Sequence, residues 1–194
     1  MKIVLLSLAG FLIGSVPTGQ IIARSRGIDL QQTGSGNIGA TNVLRTSGKL
    51  PALITLFGDM AKGMAAVLMA RYFDAGIWYE GIVGILAVLG HNFSIFLKFK
   101  GGKGVATSLG VLVMYAPLAA LATMGVWLAA VLMTRYSSLG AILSCCALPL
   151  AVYLFEDREK LLISLLLSII VLMRHKDNIR RLIRGTETKV GNKT

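Results

Sequence analysis

Charge is scarce in this chain of 194 residues, of which only 15% are Asp, Glu, Lys or Arg and only 9 are acidic. An ordinary soluble domain carries about a quarter charged residues. With 55% hydrophobic side chains and a mean hydropathy of +0.71, there is too little polar surface to enclose a core in water. Water-soluble enzymes and transcription factors are thereby excluded. Metal ligands are scarce as well. The 2 histidines, His91 and His175, lie far apart, and no Cys/His spacing or carboxylate cluster gathers donors for zinc or a catalytic magnesium, so no metal and no cofactor are expected. The 2 cysteines, Cys145 and Cys146, are adjacent inside an apolar run and frame no disulfide network. Strict apolar/polar alternation is missing too, which excludes a transmembrane barrel. Acids are outnumbered by 20 Lys and Arg, for a net charge of +11. In a soluble protein that excess suggests nucleic acid. Here the cytoplasmic loops of a membrane protein account for it, and no nucleic-acid partner is expected.

What the chain has in abundance is long apolar runs, over 3–23, 51–70, 77–97, 105–116, 118–134, 138–155 and 161–173. At about 20 residues per span, the length accommodates roughly six or seven helices and no separate soluble domain. Residues 1–194 are therefore read as one transmembrane domain that also carries the functional site. Lys2 followed by the apolar stretch Ile3 to Ala23 has the outline of a signal peptide. No small-residue cleavage pattern precedes Arg24, however, and the stretch is long enough to span, so retention as a first helix is expected. Residues 105–134 as a single helix would reach about 45 Å, well beyond a hydrocarbon core of about 30 Å. Pro117 divides them into two spans.

The distribution of cations chooses the topology. With seven spans and the N-terminus outside, the inner side holds Arg24, Arg26, Arg45, Lys49, Lys98, Lys100, Lys103 and Arg135. The tail adds Arg174, Lys176, Arg180, Arg181, Arg184, Lys189 and Lys193, so 15 of the 20 cations are inside. Only Lys2, Arg71, Arg158 and Lys160 lie outside, and Lys62 falls within a span. Six spans would leave the two sides nearly equal. The positive-inside rule selects seven, with a cytoplasmic C-terminus. Segments 24–50, 98–104 and 174–194 then share the cytoplasmic face.

Those three segments carry the chemistry. In the first, Gly34, Gly36 and Gly39 permit close backbone approach to a phosphate, while Ser35, Asn37, Thr41 and Asn42 add short polar groups and Arg45 a planar cation. A helix starting near Thr41 or Asn42 would point its positive end at the same place. In the second, Gly101, Gly102, Lys103 and Gly104 combine a permissive backbone with a cation, following His91 and preceding Thr107. In the third, Ile179, Leu182 and Ile183 form an apolar stripe among cations, predicting a short interfacial helix on which His175 and Asn178 share a face. A histidine at such a boundary, beside two phosphate-type loops, is a candidate base or a residue that positions a nucleophile.

Familiar alternatives fail on spacing. Gly34, Gly36 and Gly39, with Asp59 twenty residues on, satisfy the dinucleotide fingerprint, yet no strand precedes them and Asp59 lies in an apolar window. A Walker loop would need Gly at 97 and Ser or Thr at 104, where the chain has Leu97 and Gly104. The His-x4-Asp pattern is absent, because Phe96 follows His91 and Arg180 follows His175 at that distance. Asp59 and Lys62 are spaced to pair on one helix beneath the cytoplasmic loops, where they would support the site.

Ser-Gly-Asn-x-Gly-Ala-Thr-Asn-x-x-Arg at 35–45, Gly-His-x-Phe through Gly-Gly-Lys-Gly-Val-Ala-Thr at 90–107, and His-x-x-Asn-Ile-x-Arg-Leu-x-x-Gly-x-Glu at 175–187 resemble, in order, the three motifs of the bacterial membrane-bound acyl-phosphate:glycerol-3-phosphate acyltransferases, the PlsY family. The stretch 14–17 and Asp59-x-x-Lys62-Gly63 are similar to that family too, and no motif position departs from it. The resemblance implies transfer of a fatty acyl group from acyl phosphate to the 1-hydroxyl of glycerol 3-phosphate, giving lysophosphatidic acid and phosphate in phospholipid synthesis. It also implies an enzyme of the bacterial cytoplasmic (inner) membrane whose active site faces the cytoplasm. Its partners would be the two substrates and the lipid bilayer, with no obligate protein partner. By this carry-over Ser35, Arg45, Lys103, His175 and Asn178 are catalytic. Ser35, Arg45 and Lys103 bind phosphate and stabilise developing charge, while His175 and Asn178 orient or deprotonate the hydroxyl unless a substrate phosphate is the base. Gly36, Asn37, Gly39, Thr41, Asn42, His91, Gly101, Gly102, Gly104, Thr107, Arg180 and Glu187 contribute to substrate binding, Glu187 by holding the tail against a motif cation. The competing reading is a transporter of a phosphorylated metabolite. It predicts polarity spread through several helices, whereas here polarity concentrates in loops on one side.

Overall fold

The computed structural model of the chain describes residues 1–191, and Lys193, counted among the tail cations, lies outside them. Among the described residues the structure is helical without strands: α1 (Lys2–Ser15), α2 (Thr18–Arg24), α3 (Ala40–Ser47), α4 (Lys49–Tyr72), α5 (Ile77–Asn92), α6 (Val105–Tyr115), α7 (Pro117–Thr134), α8 (Ser137–Phe155), α9 (Leu161–Arg174) and α10 (Lys176–Ile183), with 3-10 turns at Ile95–Leu97 and Arg158–Lys160. Each of the seven apolar runs is helical. Five units are long and apolar enough to cross a membrane: Lys2–Arg24, Lys49–Tyr72, Ile77–Leu97, Pro117–Thr134 and Ser137–Phe155. Helices α6 and α9, with 11 and 14 residues, are about 16 and 21 Å long at 1.5 Å per residue. Helix length alone therefore supports five spans rather than the seven expected.

Two prolines set the breaks. Pro117 begins α7 at the first helical position, where its missing N–H has no partner to lose, so α6 ends at Tyr115. Pro17 separates α1 from α2 and leaves carbonyls without helical partners. These are satisfied across the fold: Lys62 Nζ donates to Val16 O at 2.9 Å, and Ser94 Oγ donates to Ser15 O.

Where helices cross, glycine brings backbones together. A methyl group on Gly14 would lie 2.0 Å from Ala87 O, and one on Gly90 would lie 2.1 Å from Phe11 O, so α1 and α5 interlock reciprocally. Helices α4 and α6 do the same through Gly63 against Thr107 O and Gly110 against Met60 O. Val67, Val88, Val111, Leu112, Tyr115 and Leu167 fill the core between them. The outward faces remain apolar, with Phe57, Leu121, Leu132 and Met133 exposed. Such faces suit lipid and would be costly in water. At one end the three polar segments are tied together: Gln31 Nε2 donates to Lys100 O at 2.8 Å, Arg174 Nε donates to Gly102 O at 3.1 Å, and Arg45 donates to Thr188 O at 3.0 Å.

Candidate active site

Asn42 organises the first segment. It is buried in α3, its Oδ1 accepts the Ser35 N–H at 2.9 Å, and its Nδ2 donates to Thr33 O and Asn37 O at 3.0 and 2.8 Å. These bonds wrap residues 33–37 around one amide, so Asn42 acts on a substrate only through the loop it shapes. Gly34 and Gly36 adopt left-handed φ values of +64° and +71° that the wrap requires. Gly39 caps α3, and the Thr41 hydroxyl meets Ser137 Oγ at 3.3 Å.

The second segment is strained and closed on itself. Lys98 and Phe99 are consecutive left-handed non-glycine residues, a conformation that costs about 1–2 kcal/mol each. Two glycine amides are engaged by the preceding helix: Gly101 donates to Asn92 O at 3.2 Å and Gly102 to His91 O at 2.9 Å. Gly104, at φ +84°, turns the chain into α6, whose first turn presents the positive end of the helix. Thr107 and His91 are buried beneath the loop.

The third segment supplies a network centred on Glu187. Its Oε1 accepts from Ser138 Oγ and Asn178 Nδ2, both at 2.7 Å, and its Oε2 accepts from Arg181 Nε at 2.7 Å. Burial opposes the charge on Glu187, yet these donors outweigh it and hold the carboxyl below its usual pKa. Because the Asn178 amide nitrogen donates to Glu187, its Oδ1 is turned to Lys103 Nζ, which donates to it. Burial pushes the Lys103 amine down to about 8, and the positive charge of Arg181 adds to the fall. Among the described residues Lys103 has no carboxylate within ion-pair distance. His175 is buried, with Nδ1–H donating to Val171 O at 2.7 Å, which leaves Nε2 as the acceptor. Burial lowers its pKa to about 4 against the pull of that hydrogen bond, with Lys103 adding to the shift.

These segments enclose two cavities that share Gly36, Gly101 and Arg174. The smaller, about 190 Å³, is lined by Ser35, Gly36, Asn37, Gly101, Lys103, Met173, Arg174, Lys176 and Asp177. The larger, about 380 Å³, adds Gln31, Phe99 and Lys100. Of the expected site residues, Ser35, Gly36, Asn37, Gly101 and Lys103 thus face one space. Asn178 and Glu187 stand behind Lys103, and Gly102 is pinned by Arg174. Arg45 reaches the tail through Thr188 rather than the cavity wall. Arg180 is exposed and among the described residues pairs with Asp177, at 3.5 Å; Arg181 takes the partnership with Glu187. Sequence reasoning counted Arg174 only as an orienting cation, although it lines both cavities. Its position at the end of the last apolar run, one residue before His175, is the signal that was there to find. Among the described residues no three His, Cys, Asp or Glu side chains converge to hold a metal ion.

Lipid-facing helices around a cationic cleft at one end define an integral membrane protein that handles an anionic compound at the membrane surface. The family model described as Glycerol-3-phosphate acyltransferase matches residues 4–185. Curated relatives of that name include one from Geobacter sulfurreducens, 46% identical over 95% of this chain and 96% of its own length. Another, from Thermus thermophilus, is 45% identical over 95% and 93%. The crystal structure of PlsY, an integral membrane glycerol 3-phosphate acyltransferase, in its glycerol 3-phosphate form is similar with a TM-score of 0.92 at 37% identity, covering 98% of this chain and 96% of that one. Its lysophosphatidic acid form gives 0.90 at 36%, covering 97% and 95%. The chain belongs to the glycerol-3-phosphate acyltransferase family and is a membrane acyltransferase of lipid synthesis.

Proposed function

We propose that this acyltransferase moves a fatty acyl group from acyl phosphate to the 1-hydroxyl of glycerol 3-phosphate, forming lysophosphatidic acid and inorganic phosphate. The observation that carries the reading is Lys103, a half-buried cation on a cavity wall whose side-chain partner is the neutral Asn178 amide. A buried charge without a counterion is unfavourable until an anion arrives, and both substrates bring phosphate. Ser35, Gly36 and Asn37 form the facing wall, while Arg174, Lys176 and the first turn of α6 add positive potential. Arg45 binds phosphate when it leaves Thr188 O. Gly39, Thr41 and Asn42 shape the first loop, Gly101, Gly102 and Gly104 the second, and Glu187 holds the tail through Arg181. Arg180, on the solvent face, and Thr107 take no direct part.

In the reaction the glycerol hydroxyl oxygen attacks the acyl carbonyl carbon, and the bond from that carbon to the phosphate oxygen breaks with its electron pair passing to phosphate. The anhydride supplies a good leaving group, so no covalent acyl-enzyme is needed. Lys103 binds the phosphate of glycerol 3-phosphate over the loop that Gly101, Gly102 and Gly104 shape, and from there its charge also stabilises the negative charge that develops as the second phosphate departs. The hydroxyl proton passes to a phosphate oxygen, since an imidazole held at about 4 is a weaker base than a phosphate with a second pKa of about 6. Neutral His175 orients the glycerol by accepting at Nε2 the hydrogen bond of its 2-hydroxyl, which leaves the proton of the attacking 1-hydroxyl free to pass to phosphate.

The cation distribution supports seven crossings with the N-terminus outside and the site facing the cytoplasm. Helix α6 then starts from a recessed loop, tolerated at membrane depth because Gly102 and Gly104 at its base are buried in protein while Lys98, Phe99 and Lys100 are exposed at its rim. The test is turnover by purified protein in lipid vesicles: palmitoyl phosphate with glycerol 3-phosphate is expected to release one phosphate per lysophosphatidic acid formed. Turnover with acyl-CoA and none with acyl phosphate would overturn the donor assignment.

A further inference from the structure

Asp59, Lys62 and His91 are three titratable side chains that the proposed reaction does not use, although they are only 2%, 7% and 4% exposed within α4 and α5. Burying such groups is unfavourable unless each finds its partners. Here Lys62 supplies most of them. Its Nζ forms an ion pair with Asp59 Oδ1 at 2.9 Å and hydrogen bonds with His91 Nδ1 at 2.8 Å and Val16 O at 2.9 Å. With Lys62 charged beside Asp59, its donation to Nδ1 leaves the imidazole hydrogen on Nε2.

That far edge of the ring lies against the glycine loop. A methyl group on Gly102 would sit 2.1 Å from His91 Nε2 and 2.9 Å from Cε1. The backbones beside it are laced together, with Gly102 N–H on His91 O at 2.9 Å and Gly101 N–H on Asn92 O at 3.2 Å. From the other side, Arg174 Nε and its terminal nitrogen hold Gly102 O at 3.1 and 3.0 Å. Gly102 is therefore clamped between the imidazole and the guanidinium, one residue before Lys103.

We infer that Asp59, Lys62 and His91 form a positioning set. The ion pair fixes the imidazole, the imidazole is the floor under Gly102, and the floor sets where Lys103 stands in the cavity. The same Lys62 fastens the Pro17 break, so one buried charge holds both the first helix and the phosphate loop. None of the three touches substrate. The inference rests on the proposed role of Lys103 toward phosphate.

The test is an interlock of two substitutions, measured with palmitoyl phosphate and glycerol 3-phosphate. Gly102→Ala is expected to lower kcat/KM for glycerol 3-phosphate by about 100-fold, the cost of roughly 1 Å of misplacement. His91→Ala should raise KM for glycerol 3-phosphate by about tenfold and leave KM for palmitoyl phosphate within about twofold. Removing the ring makes room for the methyl group, so the double variant should exceed Gly102→Ala by about tenfold, within the coupling expected of touching residues. The pair Asp59→Asn with Lys62→Met, which keeps packing and removes charge, should raise the same KM. Amide hydrogen exchange over residues 99–104 should quicken in both backgrounds without any substrate present. A double variant no better than Gly102→Ala, or unchanged exchange in folded His91→Ala, would overturn the inference. Failure of the wild-type protein to use palmitoyl phosphate would overturn the donor reading alone, because the exchange measurement still decides the floor.

Discussion

Two lysines in the same half of the molecule, Lys62 buried and Lys103 half-buried, have opposite surroundings. Lys62 sits among the helices with a carboxylate at 2.9 Å, an imidazole at 2.8 Å and a carbonyl at 2.9 Å. Lys103 sits on a cavity wall, and its partner is an amide oxygen. The first charge is compensated within the fold and has no capacity left for a ligand; the second waits for one. Burial alone therefore does not separate a structural cation from a functional one. What separates them is whether the protein itself supplies the counter-charge.

Breaking each lysine should fail in a different way. Lys62→Met leaves Asp59 buried without its cation and is expected to lower stability by about 3–5 kcal/mol, read as thermal unfolding in detergent. Adding Asp59→Asn should restore most of that stability, because no uncompensated charge remains. Lys103→Met removes a charge that no carboxylate among the described residues pairs with, so its unfolding temperature should stay near wild type. Its kcat/KM should fall by about 100- to 1,000-fold, the range for losing one donor to developing negative charge. A large stability loss in Lys103→Met, with Lys62→Met unaffected, would reverse the comparison.

The sequence showed the helices well because apolar runs are their direct cause, and Pro117 marked the boundary between α6 and α7. Spacing also placed Asp59 and Lys62 on one face, and their 2.9 Å pair follows from it. Less legible was what each polar residue would touch. Asn42 and Lys103 belong to similar Gly-rich strings, yet one is used up stapling its own loop while the other faces open space. His91 was expected to contribute to substrate binding, and the structure turns it down toward Lys62. Such distinctions depend on contacts between segments 29 to 75 residues apart, which no local pattern encodes. Arg174 had a local signal in its place beside His175, but its partners, Gly101 and Gly102, lie far away in the chain.

The contrast sharpens with pH. Lys103 holds its proton only below about 8 in the unliganded protein, and phosphate binds the protonated form. The lowered pKa means that charge is lost as pH rises through 8, so KM for glycerol 3-phosphate should increase about tenfold per unit above that value, or about 1.4 kcal/mol. Between pH 7 and 8 it should be nearly flat, because the substrate phosphate is already a dianion above its second pKa of about 6. Steady-state kinetics from pH 7 to 9.5 measure this. Lys103→Arg, which stays charged throughout, should bind more weakly at pH 7 but lose the alkaline rise. An alkaline rise that persists in Lys103→Arg would assign the titration to another group.

The smallest effects should come from the tail, where two adjacent arginines repeat the comparison at the surface. Arg180 and Asp177 are 70% and 62% exposed and 3.5 Å apart, a pair worth well under about 1 kcal/mol in water and salt. Arg180→Ala should leave kcat and KM within about twofold, as expected of a pair on the solvent face. Arg181 instead meets the enclosed Glu187 carboxylate at 2.7 Å, and that carboxylate also holds Asn178, whose oxygen faces Lys103. In Arg181→Ala the glutamate keeps Ser138 and Asn178 but loses its cation, so Asn178 is drawn more strongly onto it and the oxygen presented to Lys103 shifts. A severalfold rise in KM for glycerol 3-phosphate is expected, well short of the Lys103→Met loss because the lysine itself remains. Equal effects from the two arginines would mean that the tail acts through net charge at the membrane surface; unequal ones would mean that it acts through the geometry of Glu187.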